Sequence, residues 1–580
     1  MHINRRDFLQ LLAVAAASGL ALDSKSVLAG QHANFYNAPR HGNVSFLHFT
    51  DCHAQLMPVW FREPNVNIGV AGARGKAPHL VGAELLKHFG IKPGTAEAHA
   101  FTYLDFAEAA KVYGKVGGFA HLKTLVDMMR AQRPGSLLLD GGDTWQGSAT
   151  SLWTNAQDMV DACIQLGVNV MTPHWEATFG ADRMMEIVNK DFKKAGIDFV
   201  AQNIVTNDFG DQVFKPYTIK EQNGVKIAVV GQAFPYTPIA NPGYMVPDWS
   251  FGIRDDSLQK WVDEARAQGA QVVVVLSHNG MDVDLKMASR IHGVDAIFGG
   301  HTHDGVPRPV PVKNAKGGTT LVTNAGSNGK FLGVMDFDVR GGKVHSFKYR
   351  LLPVFSNLLP ADPAMDAYIK KVRAPHEAKL NTPLAVTEDL LYRRGNFNGT
   401  WDQIICDALM EVKGADASFS PGVRWGTSIL PGETIVYERM MDQMALTYPA
   451  TTLNEFTGSQ IKDILEDVAD NIFNPDPYYQ QGGDMVRVGG IQYTINPNEK
   501  IGKRITEMTL KGKRVDPNKR YKVAGWASVN EGVTGTPIWD VVEEYLRSKK
   551  VIKKVVLNEP KIIGIGTSNP GIAGYRGGVS

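Results

Sequence analysis

The sequence predicts a layered α/β domain followed by a smaller α+β domain, and three observations carry this. From residue 43 to about 355, short apolar runs alternate with amphipathic helical stretches, the pattern of buried strands joined by helices. Beyond about 382 that alternation gives way to long helical stretches and longer strands in no regular order. Most strands of the first part also end in an aspartate or histidine. The chain has 580 residues, more than one hydrophobic core ordinarily organises, so two domains are expected from length alone. Its net charge of +2 gives no support to nucleic-acid binding, which calls for clustered Lys and Arg.

The elements follow in order. Residues 1–29 form a targeting segment: "NRRDFLQLLAVAAASGLAL" joins Arg5 and Arg6 to a modest apolar stretch, and "SVLAG" offers small residues for cleavage near Ala29. The stretch is short and rich in Ala and Gly for a membrane span. A twin-arginine signal of this kind predicts export of the folded protein to the periplasm, with no membrane anchor in the mature chain. Three cysteines, Cys52, Cys163 and Cys406, are too few for a disulfide framework.

Residues 30–357 are read as the first domain. Its strands are "VSFLHF", "SLLLD", "VNVM", "IDFVAQN", "VKIAVVGQ", "AQVVVVLS", "VDAIFGG" and "TTLVTNAG". Helical patterns such as "GGFAHLKTLVDMMRAQ" and "DDSLQKWVDEARAQG" lie between several of them. A Pro-rich turn and charged helix over 358–381 read as a linker. In residues 382–580, "WDQIICDALMEVKG" and "TGSQIKDILEDVADNIF" read as helices, "DMVRVGGIQYTINP" and "KRYKVAGWASV" as strands.

Asp51 and His53 follow the first strand, Asp143 the second and His174 the third. His278 follows "VVVVLS", and His301 and His303 follow "VDAIF". Carboxyl ends of strands line the ligand crevice of an open α/β sheet. A single histidine there is ordinarily a hydrogen-bonded structural residue; five strand ends ending alike point to a metal centre. Residues two apart on an extended segment face the same way, so Asp51 with His53, and His301 with His303, are expected to converge. Seven donors exceed the three of a catalytic zinc, which favours two ions with Asp143 as the bridging carboxylate. Oxygen and imidazole donors without thiolate suit Mn, Fe or Zn.

The blocks "DCH", "GGDT", "SHNG" and "GGHTH" resemble those of the calcineurin-like metallophosphoesterases, and their order with the second domain resembles the 5′-nucleotidase branch. The resemblance implies a four-layer β-sandwich flanked by helices and a C-terminal substrate-recognition domain. It implies Asp51, His53 and His303 around one ion, His174, His278 and His301 around the other, and Asp143 between them. The departure is at "TPHWEATFG", where the branch carries Gly-Asn-His-Glu. His174 falls on the ligand Asn, Trp175 on the histidine that acts as an acid, and Thr178 on the aspartate that orients it. Indole has no titratable proton to give an alkoxide leaving group. Shifting the alignment by one residue instead makes His174 the acid.

A catalytic centre of Asp143, His174 and Trp175 lacking an acid suits a leaving group less basic than an alkoxide, such as a persulfide. This combination resembles the SoxB family of thiosulfohydrolases in periplasmic sulfur oxidation. The resemblance implies two Mn²⁺ ions, with Fe or Zn sharing the same ligands. It also implies a SoxY-type carrier protein as partner, whose C-terminal Cys-bearing arm carries an S-thiosulfonate, together with other Sox components. Sulfate would be released by attack of metal-bound hydroxide on the terminal sulfone. Arg424 is the first candidate to hold the sulfonate, with Arg394 and Asn396 next, because guanidinium offers a two-pronged donor. Trp175 and Tyr448 are candidate channel walls. "GGDMVRVGGIQY" falls where nucleotidases clamp a base but shows Met485 and Val486, although the tyrosines of "PYY" lie close in sequence. The alternatives are a periplasmic 5′-nucleotidase or cyclic nucleotide phosphodiesterase, and a metal-loaded protein that binds the carrier arm without cleaving it.

Overall fold

The computed structural model describes residues 35–575 and 577–579, so the expected targeting segment lies outside the described residues. The first domain is built on β1 (Val44–Phe49), β2 (Leu137–Asp140), β3 (Val170–Met171), β4 (Asp198–Phe199), β5 (Tyr217–Gln222) and β6 (Val225–Gln232). It continues with β7 (Val272–Ser277), β8 (Ala296–Gly299), β9 (Val310–Lys313), β10 (Thr319–Asn324), β11 (Phe331–Arg340) and β12 (Lys343–Pro353). These make two six-stranded sheets, ordered β12-β11-β1-β2-β3-β4 and β9-β10-β8-β7-β6-β5. Within each sheet the strands that lead to the aspartates and histidines run parallel to one another, and antiparallel strands complete the edges.

The inner strands are runs of Val, Leu, Ile and Phe because both of their faces are buried. Phe46, Leu139, Val229, Val274 and Phe298 fill the space between the sheets. The alternate residues Leu47, Phe49 and Leu138 pack outward on the helix Phe119–Gln132. Val230, Val273 and Val275 pack outward on the helices Asp255–Ala267 and Met281–Arg290. Helix, sheet, sheet and helix thus form four layers, as the resemblance implied. Each fully buried side chain of this size contributes about 1.5–3 kcal/mol.

The segment 358–381 forms the helix Pro363–Arg373, capped by Asp362 at 2.8 Å from the Met365 amide, and then two short turns. It is no free tether. Met365 and Ile369 are buried in the first domain, and Tyr368 donates to the Asp158 carbonyl at 2.8 Å. Arg373 reaches the second domain through a buried ion pair with Glu438.

The second domain centres on a four-stranded sheet, in the order Thr451–Thr457, Arg520–Trp526, Ala417–Ser420, Arg487–Gly489. The helices Thr400–Lys413 and Ile538–Lys549 pack on one another and cover one face, and Gly458–Phe473 covers part of the other. The single strand expected in "DMVRVGGIQYTINP" is two, Arg487–Gly489 and Ile491–Ile495, in different sheets. Gly490, at φ 77°, makes the break. The three cysteines are free, buried thiols. No helix among the described residues is long and apolar enough to cross a membrane.

Arg133 locks the first sheet to its outer helix. It is 2% exposed, pairs twice with Asp336 at 2.8 and 2.9 Å, and donates to the Ala38 carbonyl at 2.7 Å. Arg133→Ala leaves the Asp336 carboxylate buried without its cation. Urea unfolding of the variant is expected to show a loss of about 3–5 kcal/mol.

Candidate metal centre

The loops after β1, β2, β3, β7 and β8 bring Asp51, His53, Asp143, His174, His278, His301 and His303 together where the two sheets meet. They do not converge by the extended alternation expected from spacing. Asp51 (φ 53°), His53 (45°), Asp143 (57°), His301 (72°) and His303 (57°) all have left-handed backbone. Side chains that are not glycine pay about 1–2 kcal/mol each for this conformation, and it persists only where surrounding contacts impose it.

Those contacts are specific. The amides of Asp51 and His53 donate to the carbonyls of Gly142 and Asp143, each at 2.8 Å, tying the first loop to the second. Glu176, fully buried, accepts from the amides of Thr144 (2.7 Å), His174 (2.8 Å), Asp143 (3.2 Å) and Trp145 (3.3 Å). One carboxylate therefore fixes the second and third loops. Gly300 has no room for a side chain, since a Cβ there would sit 2.9 Å from Asp51 Oδ2.

The donors fall into two groups, Asp51, His53, Asp143 and His303, and Asp143, His174, His278 and His301, with the donor atoms of each group within 4.8 Å of one another. Asp143 belongs to both. Its Oδ2 lies 3.1 Å from His278 Nε2 and 3.8 Å from His53 Nε2, and its Oδ1 lies 3.1 Å from His174 Nδ1. His303 Nε2 lies 3.1 Å from Asp51 Oδ1 and 3.1 Å from His53 Nε2. Backbone carbonyls orient three rings: Gly141 accepts from His278 Nδ1 (2.5 Å), Gln146 from His53 Nδ1 (3.2 Å) and Gln481 from His301 Nε2 (2.8 Å). Each bond holds a proton on the outer nitrogen and turns the other nitrogen inward.

Electrostatics agree with this arrangement. Burial takes His53 down to about 3, and His301 and His303 well below the usual imidazole range. Burial also raises Asp51 to about 6. His278 moves the other way, to about 10: burial lowers it, but Asp143 and Asp51 outweigh burial. Imidazoles aimed at one another, with two carboxylates and no thiolate, fit two divalent ions of the Mn, Fe or Zn kind.

The ring of His174 bears on the two alignments left open by the sequence. Its Nδ1 faces Asp143 and its Nε2 lies 3.1 Å from Asn241 Oδ1. An Nε2 proton shared with Asn241 would leave the Nδ1 lone pair facing Asp143, the arrangement that a metal ligand requires. Trp175 is 7% exposed; its amide donates to Asp143 Oδ1 at 2.8 Å and its indole borders the cleft. Trp425, which the sequence reading passed over, stands at 84° to Trp175 with centroids 4.7 Å apart, and lies 4.7 Å from the His53 ring. Asn241 and Trp425 carry no motif of their own, whereas Glu176 falls on the glutamate of the Gly-Asn-His-Glu block.

The cleft between the domains has a volume of about 530 Å³ and runs from Asp143, His174, His301 and His303 to the second domain's sheet. Its far part is apolar, lined by Phe419, Val423, Phe456, Val468 and Val486. Of the four residues expected to meet substrate, only Arg424 borders it. Arg394 is 4% exposed and faces a separate cavity of about 30 Å³ with Glu63 and Asp304, its Nη2 donating to the His303 carbonyl at 3.3 Å. Asn396 is 1% exposed, its Oδ1 accepting from the Ile68 amide at 2.7 Å. Tyr448 stacks behind Trp175, centroids 5.5 Å apart at 5°. Spacing along the chain cannot tell such buried braces from residues that face the cleft. Tyr478 of "PYY" is also engaged elsewhere, bonded to Asp255 at 2.8 Å.

The comparisons with known proteins agree with the site. The chain matches the calcineurin-like phosphoesterase family over residues 44–305 and the 5′-nucleotidase C-terminal domain over 386–544. It is 25% identical to human 5′-nucleotidase over 435 residues, covering 68% of this chain and 73% of that protein. Protein UshA of Yersinia enterocolitica is 25% identical over 487 residues, covering 74% and 84%. Among solved structures, a 5′-nucleotidase precursor of Thermus thermophilus superposes with a TM-score of 0.70 at 21% identity, covering 90% of this chain and 99% of that one. The sulfate thiohydrolase SoxB of Thermus thermophilus, in complex with glycerol, superposes with a TM-score of 0.87 at 37% identity, covering 92% and 99%. The chain belongs to the calcineurin-like phosphoesterases with a 5′-nucleotidase C-terminal domain, and within them to the SoxB family.

Proposed function

We propose that this hydrolase releases sulfate from a cysteine S-thiosulfonate on a SoxY-type carrier protein, working in the periplasm after twin-arginine export. The observation that carries the reading is Trp175 beside a site with donors for two ions, with the His174 ring fully engaged. That site can activate water but has no proton donor for a basic leaving group. A persulfide leaves as an anion without one.

Bound divalent ions, for which manganese is the proposed identity, supply the Lewis acidity that makes a water nucleophilic near neutral pH. Asp143, shared by both donor groups, would serve both ions, and Glu176 holds the loops that present Asp143 and His174. Trp175, Trp425 and Phe234 wall the centre and exclude bulk water. Arg424 offers charge-assisted hydrogen bonds to the sulfonate oxygens. The oxygen of water bonds to the terminal sulfur as its S–S bond breaks, the electron pair staying on the inner sulfur. Sulfate and a carrier persulfide result, and the water's protons pass to solvent.

A 5′-nucleotidase is the second reading, favoured by Phe419 and Phe456 in the cleft wall and by the 25% identical relatives. Mass spectrometry of thiosulfonated carrier separates the two. Incubation with manganese-loaded protein is expected to remove the mass of one SO₃ group, with AMP turned over slowly; rapid AMP hydrolysis and an unchanged carrier would reverse the assignment. Trp175→His restores a titratable group at the acid position. It is expected to raise hydrolysis of an alkyl phosphomonoester such as AMP by at least about tenfold, read by release of inorganic phosphate, with little change for an aryl phosphate whose phenolate leaves without an acid.

Metal uptake is expected to depend on pH. The carboxylates hold His278 charged up to about pH 10, so below that value its proton must leave before Nε2 can donate. Apparent affinity should therefore rise about tenfold per pH unit between roughly pH 7 and 9, with proton release visible by calorimetry in buffers of different ionisation enthalpy.

A further inference from the structure

Arg424 reaches the metal centre from the second domain, and its donors are divided. Nη1 donates to the Thr302 carbonyl at 2.8 Å, between His301 and His303. Nε donates to Asp484 Oδ1 at 3.1 Å. Nη2 makes no hydrogen bond among the described residues, and the side chain borders the cleft. A guanidinium held at Nε and Nη1 has one pose, and in that pose its remaining N–H groups serve a ligand.

Asp484 is itself fixed on every side. It is 6% exposed; Oδ1 also accepts from Asn396 Nδ2 at 3.3 Å, and Oδ2 accepts from Arg487 Nη2 at 3.0 Å. Arg487 is fully buried and lies 3.3 Å from Asp402. The Asp484 amide donates to the Gly422 carbonyl at 2.9 Å, joining its loop to the loop of Arg424. Gly422 is required there, because a Cβ would fall 2.2 Å from the Asp484 carbonyl oxygen. The same loop delivers the Gln481 carbonyl to His301. A carboxylate in an anion-binding cleft would repel its ligand unless its charge were spent on its neighbours, and here two guanidiniums take it up.

We propose that Asp484 is a positioning residue for anion recognition: it fixes Arg424 with Nη2 turned into the cleft, where that nitrogen meets a tetrahedral oxyanion. The proposal deepens the thiosulfohydrolase reading by naming the residue that organises its anion subsite, and rests on it only for the identity of the anion.

The test is a double-mutant cycle on the full metal-loaded protein, read by calorimetric binding of inorganic sulfate and by carrier hydrolysis. Asp484→Asn keeps the shape and removes the charge. It is expected to weaken sulfate binding about tenfold and to raise KM by a similar factor, with kcat within about twofold. In an Arg424→Gln background the same change is expected to cost nothing further, because the residue through which it acts is gone. Equal losses in both backgrounds would make Asp484 merely structural and overturn the proposal, as would unchanged sulfate affinity in Asp484→Asn or no sulfate binding by the unmodified protein. If Asp484→Asn proves unstable, Arg487→Lys, which loosens Asp484 from behind, is expected to weaken sulfate binding in the same direction; unchanged affinity there counts against it. Sulfate binding that follows the cycle without carrier hydrolysis would sink the thiosulfohydrolase reading and leave this one standing.

Discussion

Two carboxylates and five imidazoles share one almost dry space, and the rest of the molecule answers to that crowding. Water cannot solvate these groups, so each must find a partner or a cation. The protein turns the outer ring nitrogens of His53, His278 and His301 to backbone carbonyls and leaves the inner nitrogens facing the carboxylates and one another. Such an interior is coherent around positive ions and poorly satisfied without them. The left-handed backbone at five of the seven positions follows from the same demand. Short loops must point side chains inward from strands that stop a few ångströms away, and Glu176 and the loop-to-loop hydrogen bonds offset the strain.

The second domain is part of this centre. Gln481 orients His301, Arg424 grips the carbonyl of Thr302, and Trp425 lies against the ring of His53. The second domain's loops that border the cleft are thus the loops that steady the histidine-bearing turns. Arg393, Asp402, Arg487 and Asp484 form a buried chain of alternating charge behind them. Removing one member of such a chain would strand another, so the rigidity of the cleft wall is collective. The linker helix, seated on the first domain and paired with Glu438 of the second, holds the two halves from the opposite side.

Within this scaffold the chemistry turns on a single side chain. Trp175 stands where a protonated imidazole would assist an alkoxide, and it is held between Trp425 and Tyr448 as a wall. Asn241 completes the exchange by holding the Nε2 proton of His174. On the proposed reading, water exclusion takes the place of proton transfer, which would suit a substrate whose leaving atom carries negative charge well.

The sequence by itself determined the layers and the seven clustered donors. Strand period, apolar runs and residues at strand ends are local features, and a strand's carboxyl end points to the crevice whatever follows. The convergence foreseen from extended spacing came instead through left-handed turns, because backbone angles in a short loop are set by hydrogen bonds to other loops. Only the tertiary structure decided which polar side chains face the cleft. Arg394 and Arg424 occupy similar glycine-flanked loops, yet one braces the His303 carbonyl from behind and the other borders the cleft. Asn396 and Tyr448 proved to be supports, while Trp425, Asn241 and Asp484 took positions at the centre that no spacing announced. Orientation toward a cavity depends on packing between segments hundreds of residues apart, and that is information one strand's pattern does not contain.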